Sequence, residues 1–184
     1  MYFKLVVDRE KVKMNQLLKQ LLLVFMCVFA LAVQAVADSL SDAQRASDEG
    51  NHAKAAKLFK PLAARGNAVA QFKLATMYYS GKGVKRNTKE AVKLYLRSAE
   101  QGHVVAQSNL ATMYYRGDGV PKDFVMAHMW KNLAATNADG DRQIRYVEQL
   151  NELAKNMTAR QLAEARALAK KCTANKFKGC KRTR

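Results

Sequence analysis

The chain has 184 residues and a formal net charge of +17. That length leaves room for one folded domain and a targeting segment. So basic a chain points toward anionic partners and away from cationic ones.

The first element is apolar. Leu21 to Val33 read LLLVFMCVFALAV, thirteen residues without a charge; Lys19 precedes them, and Ala35-Val36-Ala37 follows ahead of Asp38. A cationic start, a short apolar stretch and a small-x-small site mark a cleaved secretory leader. Residues 1–37 are therefore expected to be a signal peptide removed after Ala37. The rival reading is an uncleaved anchor, although the run falls short of the roughly 20 residues a membrane span needs. From Met14 the leader reads MNQLLKQ, compact and positive, whereas from Met1 it would carry Asp8 and Glu10. Met14 is thus the better start. Cys27 does not read as a lipoprotein cysteine, because Phe25-Met26 lacks the small residues expected before one.

Residues 1–37 hold five Lys or Arg and two acids, so the remainder carries 27 basic residues against 13 acidic ones, a net +14. In an exported chain that charge points to an acidic protein, an acidic envelope polymer or an anionic lipid surface, and not to nucleic acid.

Residues 38–50 read as a lone entry helix. Beyond them the chain repeats itself. Residues 66–84, GNAVAQFKLATMYYSGKGV, align with residues 102–120, GHVVAQSNLATMYYRGDGV, at thirteen of nineteen positions. The segments before them align too: Ala55, Leu58 and Ala63 fall on Ala91, Leu94 and Ala99. A degraded third copy places Ala127, Trp130 and Ala135 at the same phase, and Gln71 and Gln107 recur as Gln143. The units are expected at 51–86, 87–122 and 123–157, with a capping helix, loop and tail at 158–184.

Each unit reads as a helical hairpin. Ala91, Leu94, Tyr95, Ser98 and Ala99 form one face of a first helix that Asn87 and Glu90 begin. Gly102 breaks the chain. Val105, Leu110, Met113 and Tyr114 turn a second helix toward the core, and Gly117-Asp118-Gly119 ends it. Small residues such as Ala99, Ala106 and Ala111 let the helices approach closely. One such hairpin cannot bury its own apolar face, so neighbouring units stack. Residues 139–155 supply the second helix of the third unit. Thr158 and Gln161 form a capping box for a final helix with Leu162, Ala165, Ala169 and Cys172 on one face. The expected fold is all-α: an α/α solenoid, a right-handed superhelix of tetratricopeptide-like hairpins with a C-terminal cap.

The pattern A-x-x-L-Y-x-x-x-A-x-x-G-x-x-x-A-Q-x-x-L-A-x-M-Y-x-x-G-x-G-V, from Ala91 to Val120, resembles the Sel-one-like repeat, a relative of the tetratricopeptide repeat with a slightly longer unit. The likeness covers roughly residues 50–155. The stretches MWKNLAA, MTARQLAEARALAKKC and FKGC are similar to C-terminal regions of small exported bacterial members. The resemblance implies a scaffold or adaptor in an envelope, signalling or host-contact setting, with no catalytic residue and no cofactor.

Candidate chemistry is sparse. Cys172 and Cys180 flank the basic stretch CTANKFKGC and, in an exported chain, read as a disulfide; free thiols or a metal site are the alternatives. Gly81-Lys82-Gly83 closes a helix instead of opening one, so it is a C-terminal cap and not a phosphate loop. Cysteine-rich relatives linked to β-lactams carry a cysteine pair in each repeat, which this chain lacks, as it lacks Ser-x-x-Lys and Lys-Thr-Gly. His52, His103 and His128 lie in no nucleophile motif. Tyr78-Tyr79 and Tyr114-Tyr115 are each expected to pair one core ring with one partly exposed ring. Lys57 and Lys93, aligned in successive repeats, and Arg97 one turn further on, are the candidate partner-binding residues of the first-helix surface. Lys176, Lys178, Lys181 and Arg182 extend the candidate set into a tail with no acid from Lys170 onward. A binding module for a protein or an anionic envelope component is the leading function; an envelope hydrolase is the alternative.

Overall fold

A computed structural model describes residues 19–26 and 39–180. The expected cleavage site after Ala37, the start at Met14, and the tail residues Lys181 and Arg182 lie outside the described residues. The chain falls into two units, residues 1–41 and 42–184. In the first, residues 19–26 are helical with exposed side chains. No helix among the described residues is long and apolar enough to cross a membrane.

The second unit is built from helices whose ends are written in short polar side chains and glycines. Residues 39–48 form α1, which begins before the boundary at 42 and has Ala43 and Ala46 buried. Asn51 caps α2 (His52–Ala64), Asn67 caps α3 (Ala68–Ser80), and Asn87 caps α4 (Thr88–Ala99) by accepting the Glu90 N–H. His103 caps α5 (Val104–Arg116) through Nδ1, and Asp123 caps α6 (Phe124–Asn137). Each such side chain satisfies amides that have no partner inside the helix. No side chain caps α7 (Gly140–Ala154), whereas the Thr158–Gln161 capping box begins α8 (Ala159–Ala174). Gly81 and Gly117 end α3 and α5 in the left-handed conformation, and each returns its N–H to a methionine carbonyl four residues back, Met77 and Met113. Among the described residues there is no strand.

The core runs along the inner faces of these helices. Ala55, Phe59, Leu74, Ala91, Leu94, Tyr95, Leu110 and Trp130 are all buried. Ala63, Ala70, Ala99 and Ala106 are all buried, and side chains this small let the two helices of a hairpin close on each other. The alanine–glutamine step of the repeat has a physical reason. Gln71 Nε2 donates to the Ala63 carbonyl at 3.1 Å, and Gln107 Nε2 donates to the Ala99 carbonyl at 3.2 Å. Each buried amide thereby ties a second helix to the frayed end of the first, where carbonyls lack helical partners. Adjacent repeats are joined as well. Ser98 Oγ donates to the Ala68 carbonyl at 2.7 Å, and Gln101 Nε2 donates to Gln71 Oε1 at 2.7 Å.

The third hairpin departs from this scheme. Ala134 stands in the place of Ser98, and Asn137 in that of Gln101; the Asn137 amide turns back to its own helix at Leu133. Gln107 Oε1 is consequently buried without a hydrogen-bond partner. Gln143, aligned with Gln71 and Gln107, is exposed and makes no such clamp. The tyrosine pairs also differ from expectation. Tyr78, Tyr79 and Tyr114 are half-buried and Tyr115 is exposed, so neither pair places a ring wholly in the core.

Helices pack in sequence from α2 to α7, but α8 then lies against α6 and not along α7. Ile144 and Val147 of α7 are left 61% and 41% exposed, where the equivalent Ser108 and Ala111 of α5 are covered. Past α8 the chain turns sharply. Cys172 and Cys180 are bonded, with Cα atoms 5.2 Å apart. Inside that loop Lys176 and Phe177 hold positive φ, 50° and 65°. The Phe177 ring lies over Gly102, and the Gly179 N–H reaches Glu100 Oε1 at 3.3 Å.

Candidate functional site

The repeat generates the same hollow twice. Thr76 and Tyr79 of α3, Tyr95 of α4, and Asn109, Thr112, Met113 and Arg116 of α5 enclose a cavity of about 230 Å³. The next one is lined by Thr112, Tyr115 and Arg116 of α5, Lys131 of α6, and Glu148, Gln149 and Glu152 of α7, and measures about 580 Å³. Thr112 and Arg116 belong to both, so the two are continuous along the second-helix side of the solenoid. Six of the seven positions that line the first recur in the second. Thr76 and Tyr79 recur as Thr112 and Tyr115, Tyr95 as Lys131, and Thr112, Met113 and Arg116 as Glu148, Gln149 and Glu152.

That alignment shows what the degraded repeat has done. In the first hollow the Tyr95 hydroxyl, 2.9 Å from Thr76 Oγ1, fills the floor, and burial raises its pKa above the ordinary phenol value. In the second, Lys131 takes the same place at 4% exposure. Its ammonium donates to Ser108 Oγ at 2.7 Å and to Gln149 Oε1 at 2.8 Å, with a long contact of 3.4 Å to the Ser108 carbonyl. It also lies over the Tyr146 ring, 5.2 Å from its centre. No carboxylate forms an ion pair with it among the described residues, and desolvation lowers its pKa to about 8. A charged amine held this way is disfavoured by burial and compensated only by neutral dipoles.

The sequence pointed to a different surface. Lys57 on α2, and Lys93 and Arg97 on α4, are exposed and line neither hollow; Lys93 is paired with Glu90 of its own helix at 3.2 Å. Lys176 and Lys178 are exposed in the disulfide loop. The structure brings that loop to the end of α4 through Gly179 and Glu100, not to the grooves. Lys131, Arg116 and the tyrosines of the hollows were not singled out as a set. The signal available was the replacement of Tyr95 by Lys131 in the repeat alignment.

His128, also on α6, has its pKa lowered to about 4 by burial and by nearby Arg166. It belongs to the α6–α8 contact and lines neither hollow. Among the described residues no group of three His, Cys, Asp or Glu is placed to hold a metal ion.

The model of the Sel1 repeat matches residues 44–67, 68–103 and 104–139, together more than half of the chain. The chain belongs to the Sel1 repeat family. The second and third windows begin at α3 and α5, the second helices of two hairpins, whereas the first begins within α1. Sel1 repeat proteins are typically protein–protein interaction scaffolds. Among solved structures the chain is similar to c5321, a protective antigen of uropathogenic Escherichia coli strains displaying an SLR fold, with a TM-score of 0.71 and 32% identity over 79% of this chain and 31% of that one. It is also similar to a Sel1 repeat protein from Oxalobacter formigenes, with a TM-score of 0.47 and 33% identity over 48% of this chain and 25% of that one. The chain thus spans less than a third of either structure. No match was found among the curated proteins.

Proposed function

We propose that this Sel1 repeat chain is an exported interaction module that binds an acidic polypeptide in the bacterial envelope and acts there as an adaptor. The observation that carries the reading is the paired groove: two continuous hollows, repeated with the solenoid, open beside Tyr79, Tyr115 and Arg116. Half-exposed tyrosines and arginine are the side chains that protein interfaces favour. The basic balance of residues 38–184 supplies long-range attraction for an acidic partner. Export is supported by the leader-like residues 1–37 and by the Cys172–Cys180 bond. A hydrolase gains no support from position, since His128 lies outside both hollows.

In this reading residues 38–50 are the entry cap, 51–86, 87–122 and 123–157 the repeats, and 158–184 the exit cap. Lys57, Lys93, Arg97 and the tail cations Lys176, Lys178, Lys181 and Arg182 steer the partner without seating it. Crosslinking in native envelopes, followed by affinity measurement of the captured protein at two salt concentrations, tests it. Affinity should fall steeply with salt, and reversing Lys57 and Lys93 to Glu should slow association more than it speeds dissociation. An affinity indifferent to both would refute the acidic partner. A native protein that retains residues before Asp38 would refute the cleaved leader.

A further inference from the structure

We propose that the larger hollow, between α5, α6 and α7, is a subsite for one carboxylate of the bound polypeptide, received between Lys131 and Arg116. The inference rests on the acidic partner proposed above and names where one of its side chains goes.

Four observations converge on it. The first is that the solenoid does not need a cation at this position. Tyr95, one repeat earlier, fills the same place and bonds to a threonine of the preceding helix. The second is that Lys131 is nearly inaccessible, yet its partners are two neutral oxygens at good distance and a third at 3.4 Å, beyond the usual range. A buried ammonium is ordinarily matched by a carboxylate. The third is that the Arg116 side chain, on the same wall, makes no hydrogen bond or ion pair among the described residues. The fourth is room: this hollow measures about 580 Å³ against about 230 Å³ for the equivalent one.

The opposite wall sets the limit. Glu148 and Glu152 of α7 line the hollow where Thr112 and Arg116 line the first one, and Glu152 is shared with Lys155 at 2.5 Å. A stretch of several acids, or a phosphate dianion, would meet these carboxylates at close range. One carboxylate flanked by neutral or basic residues matches both walls. The subsite therefore reads a lone Asp or Glu in an extended segment, while the outer basic surface responds to overall charge.

The test uses the purified native protein and three capped peptides: an alanine-rich one with a single central Glu, its Gln counterpart, and an all-Glu peptide. Lys131→Tyr restores the residue of the preceding repeat and is expected to fold; Lys60→Glu, at an exposed residue that lines neither hollow, controls for net charge. The Glu peptide should bind at least about tenfold more tightly than the Gln peptide, the worth of one charge-assisted hydrogen bond. Lys131→Tyr should erase that preference and Lys60→Glu should keep it. With lysine labelled at the ε-carbon, the Lys131 titration should move to higher pH when the Glu peptide is bound. Equal binding of the Glu and Gln peptides, or a preference that survives Lys131→Tyr, overturns the subsite. If the all-Glu peptide still binds in a salt-dependent way in that case, the acidic-partner reading stands. If no acidic peptide binds at all, both fall.

Discussion

Gly119 sits against the carbonyl of Thr88: a β-carbon on this glycine would come within 2.6 Å of that carbon and oxygen. One repeat earlier Gly83 meets the His52 carbonyl in the same way, and both hold a φ of 73°. Each glycine thus closes the turn after a second helix onto the first turn of the helix that opened its own repeat. Gly119→Ala should destabilise by more than the roughly 1–2 kcal/mol of the left-handed backbone alone, because peptide must also move. Gly117→Ala, at 79° but with no neighbour nearer than 3.5 Å, should cost only that backbone term. Denaturant titration of the two variants compares them directly; equal losses would contradict the close approach.

Lys131 weakens the fold it belongs to. Its folded pKa of about 8 lies below its ordinary 10.5, so the native state disfavours the charged amine. That penalty is fully present below pH 8 and is relieved as pH rises through 8 toward 10.5. Lys131→Tyr should therefore stabilise the protein at pH 7 by about 1–3 kcal/mol and flatten the rise in stability above pH 8. Thermal unfolding at pH 7 and pH 10 measures both effects.

His128 acts in the acid range. Burial, with Arg166 adding to it, lowers its pKa from 6.5 to about 4, so the unfolded chain binds its proton first. Stability present above pH 6.5 should fall as pH drops through that interval toward 4, by up to about 3 kcal/mol. His128→Phe should remove that part of the slope. Urea titrations at pH 7 and pH 4.5 of the native protein and the variant separate it from the carboxylates.

The disulfide should hold the exit cap and the loop that reaches Glu100, leaving the first two repeats in place. Non-reducing peptide mapping should recover Cys172 and Cys180 in one linked species. Replacing both by Ser should cost about 2–3 kcal/mol by chain-entropy reasoning. Hydrogen exchange should quicken in α8 and the loop, with α3 to α5 still protected.

The fold was legible wherever local chemistry repeats. Asn87, the Thr158–Gln161 pair and the glycines at 81 and 117 announce helix ends through side chains that act within one turn. The buried face of α4 follows from spacing alone. Two kinds of feature were not legible. Where α8 docks depends on a segment that occurs once, so no second copy reveals its partner, and nothing near Gly179 in sequence points to Glu100. The grooves were hidden for another reason: a charge count marks Lys57 and Lys93 as readily as Lys131. Only the comparison with Tyr95 shows that one of these lysines has a core position. Tyr78 and Tyr79 defeated a helical-wheel argument because hairpins joined at both sides leave no helix a single outer face.

A chain of stacked hairpins ordinarily frays from its ends, each unit leaving without disturbing those behind it. The clasp from Gly179 to Glu100 joins residues 79 positions apart and steps over the whole third hairpin. While the loop beyond it stays bonded to the second, the third hairpin is tied at both ends. Release of the clasp then becomes the first event of unfolding from this end, and the last two units should melt as one.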